Sequence, residues 1–119
     1  MASRYVSDIV TPDMLHGAPV PSTESLAVVT VIDATAAKQL PGVIDVIVAA
    51  DIPGTNDISG ETCGPRPTTP AAPISDQLLV PATGTTVYVG QSLALVVATS
   101  RRVALQAAKL VQVHMICCM

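Results

Sequence analysis

Two histidines and three cysteines are the residues of this chain best suited to hold a metal or move a proton. His114, Cys117 and Cys118 fall in one short stretch near the end, and Cys63 is the remaining thiol. Zinc accepts imidazole and thiolate ligands. Adjacent cysteines chelate poorly, however, and the usual spacing of a zinc-binding cysteine pair is missing. The stretch therefore reads as a frayed tail of small apolar residues, and no metal ligand is assigned. His16 follows Leu15 in an apolar segment and reads as a hydrogen-bonded structural histidine rather than a base. Arg101 and Arg102 stand where a helix should begin, which could attract an anion. A solvated first turn is the simpler reading, since charges exposed there cost little. The glycines are isolated, so no phosphate-cradling loop occurs, and no serine sits in a nucleophile elbow. Glu24 and Glu61 lack a carboxylate partner at a telling spacing, and Asp51, Asp57 and Asp76 are dispersed. No catalytic, cofactor-binding or metal-binding residue is assigned.

The elements around these residues follow an α+β order. Residues 15–20 read as a short strand, but Pro19 and Pro21 cannot donate to a ladder, so it belongs at a sheet edge or in an irregular extended piece. The β-branched run 26–32 is a strong strand. Asp33 is placed to cap a short helix over ATAAKQL, which Pro41 and Gly42 stop before a strand at 43–49. About ten residues separate these two strands, short for a parallel crossover. Either the crossover is tight or the strands lie in different parts of the fold. Residues 53–81 hold six of the ten prolines and form a long loop, read as a variable surface insertion or as a partner-facing or channel-lining segment. Strands are predicted at 85–89 and 92–98 around Gly90 and Gln91. Ser100 caps a helix over 101–110, whose Val103, Ala107 and Leu110 share one face, with Ala104, Ala108 and Val111 beside them. Residues 111–115 alternate as a closing strand.

Composition bounds the function. The chain has 119 residues, enough for a single domain, with no Phe or Trp and two Tyr. Its core must be aliphatic. Only 13% of residues are charged, so part of the surface is expected to meet another surface. The net charge is −3 and the basic residues are scattered, which disfavours nucleic acid. No apolar run is long enough for a membrane span, the start does not read as a signal peptide, and the end does not read as a prenylation box. A cytoplasmic location is the expectation, and the cysteines do not form a disulfide framework.

The segments MLHGAPV (14–20), AVVTVIDATAAKQLPGVIDVIVAADIPG (27–54), YVGQSLALVVA (88–98) and ALQAAKLVQV (104–113) carry a resemblance. In this order they are similar to the α/β hammerhead domain that opens the molybdenum-binding part of the xanthine dehydrogenase and aldehyde oxidase family. The resemblance covers 5–113, leaving 114–119 as an atypical tail. It implies an α+β hammerhead occupying 1–119, with short strands, two helices, a long Pro-rich loop and a β-hairpin. It also implies parent enzymes that oxidise aldehydes or N-heterocycles with molybdopterin, iron–sulfur clusters and FAD. The family's molybdopterin contacts and catalytic glutamate lie in later domains, so no such residue is carried over. Gly42, Gly54 and Gly90 carry over as turn glycines, and Gln91 as a turn residue available to pack against a following domain. The chain departs from the family at Pro21-Ser22, where an Arg-Ser pair is usual, and at its HMICCM end. A truncated or fragmentary member is therefore expected.

Three functions follow from these readings. The first is an assembly domain, inactive alone, that partners the molybdopterin-binding domains or subunit of the same enzyme. The second is a free-standing interaction module. The third is a carrier domain, which would need a modifiable lysine at a hairpin tip. Lys38 and Lys109 fall in predicted helices, which argues against it.

Overall fold

The computed structural model describes residues 3–56 and 77–117. The centre of the long Pro-rich segment, with Asp57, Glu61, Cys63 and Asp76, lies outside the described residues, as does Cys118.

Five strands and two helices follow in chain order: β1 His16–Pro21, β2 Ala27–Asp33, α1 Thr35–Gln39, β3 Val43–Val48, β4 Ser92–Ala98, α2 Arg101–Leu110 and β5 Gln112–Cys117. They form two antiparallel sheets, one ordered β1-β4-β3 and the other pairing β2 with β5. The short α1 is therefore no crossover between parallel strands, because β2 and β3 belong to different sheets. β1 lies at an edge, where Pro19 and Pro21 are tolerated because one side of the strand need not donate. β4 is central, and it reads as a nearly continuous apolar run because both of its faces are covered.

Small aliphatic residues make the core. Ala104 and Ala107 of α2 are fully buried, as are Ala94, Val96 and Ala98 of β4. Alanines at the contact let the helix axis approach the sheet closely, which compensates for the missing aromatic bulk. Val20, Ala37, Val46 and Val111 complete the main cluster, so both helices pack on one face of the three-stranded sheet. A separate cluster of Val29, Val80 and Leu93 joins the two sheets.

The structure differs from the sequence reading at several elements. Residues 85–89 are not a strand. Thr85 makes an isolated bridge to Val28, Thr86 bonds to the β2 backbone, and the chain then turns with Gln91 N donating to Tyr88 O. The apolar run TTVYV resembled a strand, but Val87, Tyr88 and Val89 are solvent-exposed in that turn. Asp33 is the last residue of β2 rather than the helix cap, which is Ala34. Its carboxylate still serves the helix start, accepting from Thr35 N at 2.9 Å and Thr35 Oγ1 at 2.6 Å. Leu110 is 41% exposed, because α2 ends there and the buried position passes to Val111. The closing strand runs through Cys117, not a frayed tail, because Ile116 and Cys117 pair with Val28 and Ala27.

Candidate functional site: a buried polar bracket beneath an apolar turn

The histidines and cysteines do not converge. His114 is exposed on β5, with Cys117 an exposed free thiol on the same strand. No group of three or more His, Cys, Asp or Glu that could hold a metal occurs among the described residues. His16 is half-buried in β1. Arg101 and Arg102 project into solvent at the start of α2, where Ser100 Oγ accepts from Val103 N at 3.3 Å and serves as the cap. Lys38 and Lys109 sit in the last turns of α1 and α2.

Asp33, Asp45 and Asp51 have structural partners. Asp45 accepts from Val46 N at 2.7 Å and meets Lys38 Nζ at 3.2 Å. The bond from Val46, then Lys38, lowers its pKa. Asp33 is likewise lowered, first by the Thr35 hydroxyl and then by the Thr35 amide. Asp51 accepts from Val48 N, and Glu24 is exposed.

The polar groups that do come together are Ser22, Thr86 and Gln91, all buried. Just beyond β1, Ser22 exchanges main-chain bonds with the turn: Ser22 N donates to Gln91 O at 2.8 Å and Gly90 N donates to Ser22 O at 2.9 Å. Its hydroxyl lies 3.0 Å from Tyr88 O. Gln91 Oε1 accepts from Val87 N at 2.8 Å, closing the turn from inside. Thr86 Oγ1 accepts from Ala27 N at 3.2 Å and donates to Glu24 O at 2.9 Å. This bracket ties the β1–β2 connection to the segment entering β4 and holds Val87, Tyr88 and Val89 outward as consecutive exposed apolar residues. A second bracket holds the ends of the Pro-rich segment together. Asn56 Nδ2 donates to Leu79 O at 2.6 Å, and Asn56 Oδ1 accepts from Leu79 N at 3.0 Å.

Of the four turn residues read from the sequence, Gly42 and Gly90 adopt φ of +95° and +92°, which favours glycine. At Gly42 a Cβ would also stand 3.1 Å from Thr99 Oγ1 and 3.3 Å from Val103 Cγ1. Gly54 is different: its φ lies outside the left-handed region and a Cβ would meet nothing within 4 Å, so its bend does not require glycine. Gln91 is 6% exposed and spends its side chain on its own turn, so little of it is left for a following domain. Ser22, Thr86 and Asn56 had no sequence signal except polarity beside apolar strands, because their partners are distant in the chain.

Hollows in the surface of the described residues include the following two. One, of about 580 Å³, is lined by Asp33, Thr35, Lys38, Val46 and Asp51, among others. The other, of about 530 Å³, is an apolar groove between β1, α2 and β5. Neither gathers a convergent set of donors and acceptors that would fit a pterin or a metal ion, so no cofactor chemistry is derived for these residues.

Two antiparallel sheets with helices packed on one of them define this chain as an α/β hammerhead. The family model described as "Aldehyde oxidase and xanthine dehydrogenase, a/b hammerhead domain" matches residues 2–115, and the chain belongs to that family. Among solved structures it is similar to quinoline 2-oxidoreductase from Pseudomonas putida 86, at 34% identity and a TM-score of 0.74, covering 98% of this chain and 14% of that one. It is also similar to CO dehydrogenase from Oligotropha carboxidovorans, at 30% identity and a TM-score of 0.75, covering 95% and 13%. For the aldehyde oxidoreductase from Desulfovibrio desulfuricans ATCC 27774 the values are 26% and 0.85, covering 98% and 13%. The chain thus spans about one-eighth of the length of these oxidoreductases. No curated protein sequence matches it. No helix among the described residues is long and apolar enough to cross a membrane.

Proposed function

We propose that this chain is a scaffold and assembly domain of a molybdopterin-dependent hydroxylase, with no catalytic centre of its own. The observation that carries the reading is the use of its polar groups. Ser22, Thr86 and Gln91 are spent on shaping the fold, and the described acidic and imidazole side chains converge on no site. What the fold presents instead is apolar: the Val87–Tyr88–Val89 turn and the groove beside β5. The parent enzyme would oxidise aldehydes or N-heterocycles, in keeping with the aldehyde and quinoline oxidoreductases it resembles. Molybdopterin, iron–sulfur clusters and FAD would be held elsewhere, and the molybdopterin-binding domains or subunit would be the partner of this chain.

Co-expression with the molybdenum-binding part of a relative tests this. The chain is expected to co-purify with it, while metal analysis of the chain alone finds no molybdenum. Stoichiometric molybdenum on the isolated chain would overturn the scaffold reading. A free-standing interaction module would instead be recovered without the molybdenum-binding part.

A further inference from the structure

No apolar side chain between Val80 and Leu93 is buried. Pro81 is half-buried, and Ala82, Val87, Tyr88 and Val89 are exposed. Both ends of the stretch are anchored, since Val80 and Leu93 lie in the cluster that joins the sheets. Between them Thr86 and Gln91 are buried, and both are polar. Hydrogen bonds therefore hold the stretch in place along the outer side of β2. Thr83 N donates to Val29 O at 2.7 Å, Val29 N to Gly84 O at 2.9 Å, Thr86 N to Ala27 O at 2.8 Å and Leu26 N to Thr86 O at 2.8 Å.

Two residues of this attachment are left-handed without being glycine. Thr83, at φ +73°, is third in the turn that Gly84 N closes on Pro81 O at 2.9 Å. Glycine is the ordinary occupant of a left-handed position there. Leu26, at φ +51°, stands where the chain enters β2. A side chain at such a dihedral crowds its own backbone, most of all a β-branched one. Hydrogen bonds that can be exchanged for bonds to water contribute little each, and the strain at Thr83 and Leu26 subtracts from their sum. The three-stranded sheet, by contrast, is held to both helices by buried aliphatic residues. Segments with few buried apolar contacts open ahead of the domain as a whole.

We propose that residues 81–91 are a strap that leaves β2 as a unit while both sheets stay folded. Opening breaks the four main-chain bonds to Leu26, Ala27 and Val29 and the bonds that Ser22 shares with Tyr88, Gly90 and Gln91. It moves the Thr86 and Gln91 side chains into water, which satisfies them, and it separates no buried apolar pair. Val80 and Leu93 stay in their cluster as the fixed ends. The main-chain groups of Ala27 and Val29 are then free, so β2 has an open outer edge in this second state alone. The device is a property of these bonds and does not depend on which partner meets the Val87–Tyr88–Val89 turn.

Hydrogen exchange of the 119-residue chain at low urea tests the strap. The amides of Thr83 and Thr86, with those of Leu26 and Val29 that face them, should exchange about tenfold or more faster than the β4 amides. Their rates should also depend less on urea, because opening the strap exposes little surface. Ala107 packs in the cluster between α2 and the three-stranded sheet, remote from the strap. Ala107→Gly should speed exchange on β4 about tenfold and leave the strap amides within about twofold. Thr83→Asn, which suits a left-handed backbone, should slow strap exchange about threefold or more. Strap amides that share the rate and urea slope of β4, or that accelerate with β4 in Ala107→Gly, overturn the proposal. So does a Thr83→Asn chain whose strap exchanges as before or faster. Should Ala107→Gly fail to fold, the urea slopes of the unaltered chain decide by themselves.

Discussion

Gly42 and Gly54 show how two glycines in similar-looking turns have different duties. Gly42 sits at φ +95° with Thr99 and Val103 against the place a Cβ would take, whereas Gly54 has open space around it and no left-handed backbone. Gly42→Ala is expected to destabilise the chain by about 1–3 kcal/mol in urea melts, and Gly54→Ala to be neutral or stabilising by up to about 1 kcal/mol. Asp33 supplies a second test at this scale. Its folded pKa is depressed below the ordinary value of 3.8 by the bonds it accepts from Thr35. A depressed carboxylate contributes stability that is present above the unfolded pKa and lost as pH falls through the folded one. The contribution therefore disappears on acidification below 3.8, and Thr35→Val should move the Asp33 titration upward when followed by NMR. Thr86 is the buried residue with most to lose. Thr86→Val keeps the shape but strands the Ala27 amide that Oγ1 now accepts from, so a loss of about 1–3 kcal/mol is expected in the same melts.

At the scale of elements, α2 was legible because all its signals are local. Ser100 caps it, Ala104 and Ala107 recur on the buried side, and Val111 ends it. Ser100→Ala should cost about 1 kcal/mol of stability and reduce protection of the Val103 amide in hydrogen exchange. The central β4 was legible for the same reason, as its apolar run follows from burial on both faces. Residues 85–89 were not. Their β-branched run has strand composition, but Gln91 and Ser22 draw the backbone into a turn. A strand and an extended segment that turns differ in their hydrogen-bond partners, and those partners are 22 and 26–29 in the chain. The cap of α1 was placed one residue too early, at Asp33 rather than Ala34, because Asp33 serves the helix start from the end of β2, a distinction that depends on backbone dihedrals and not on residue type.

For the whole molecule the key contact is the Val29–Val80–Leu93 cluster, which holds the two sheets together. Leu93 is fully buried there. Leu93→Ala should remove about 2–5 kcal/mol, a large share of the roughly 5–15 kcal/mol that stabilises an ordinary domain. Thermal melts followed by circular dichroism should show that loss as a sharply lowered midpoint. The aliphatic, alanine-rich core and the apolar turn and groove have a common origin in a sequence half hydrophobic and only 13% charged. That composition fills the interior without aromatics and leaves apolar surface outside, as expected of a domain that makes up a small part of its relatives.

The amino-acid order by itself determined the strands β1 to β4, both helices, turns at Gly42 and Gly90, and the family, because each rests on periodicity, glycine chemistry or contiguous motifs. Only the tertiary structure decided that β2 and β3 part into separate sheets, that Ser22, Thr86 and Gln91 form one buried bracket, and that β5 runs on to Cys117. Those outcomes depend on hydrogen bonds between residues far apart in the chain, and a single sequence carries no local signal for which distant amide will meet which carbonyl.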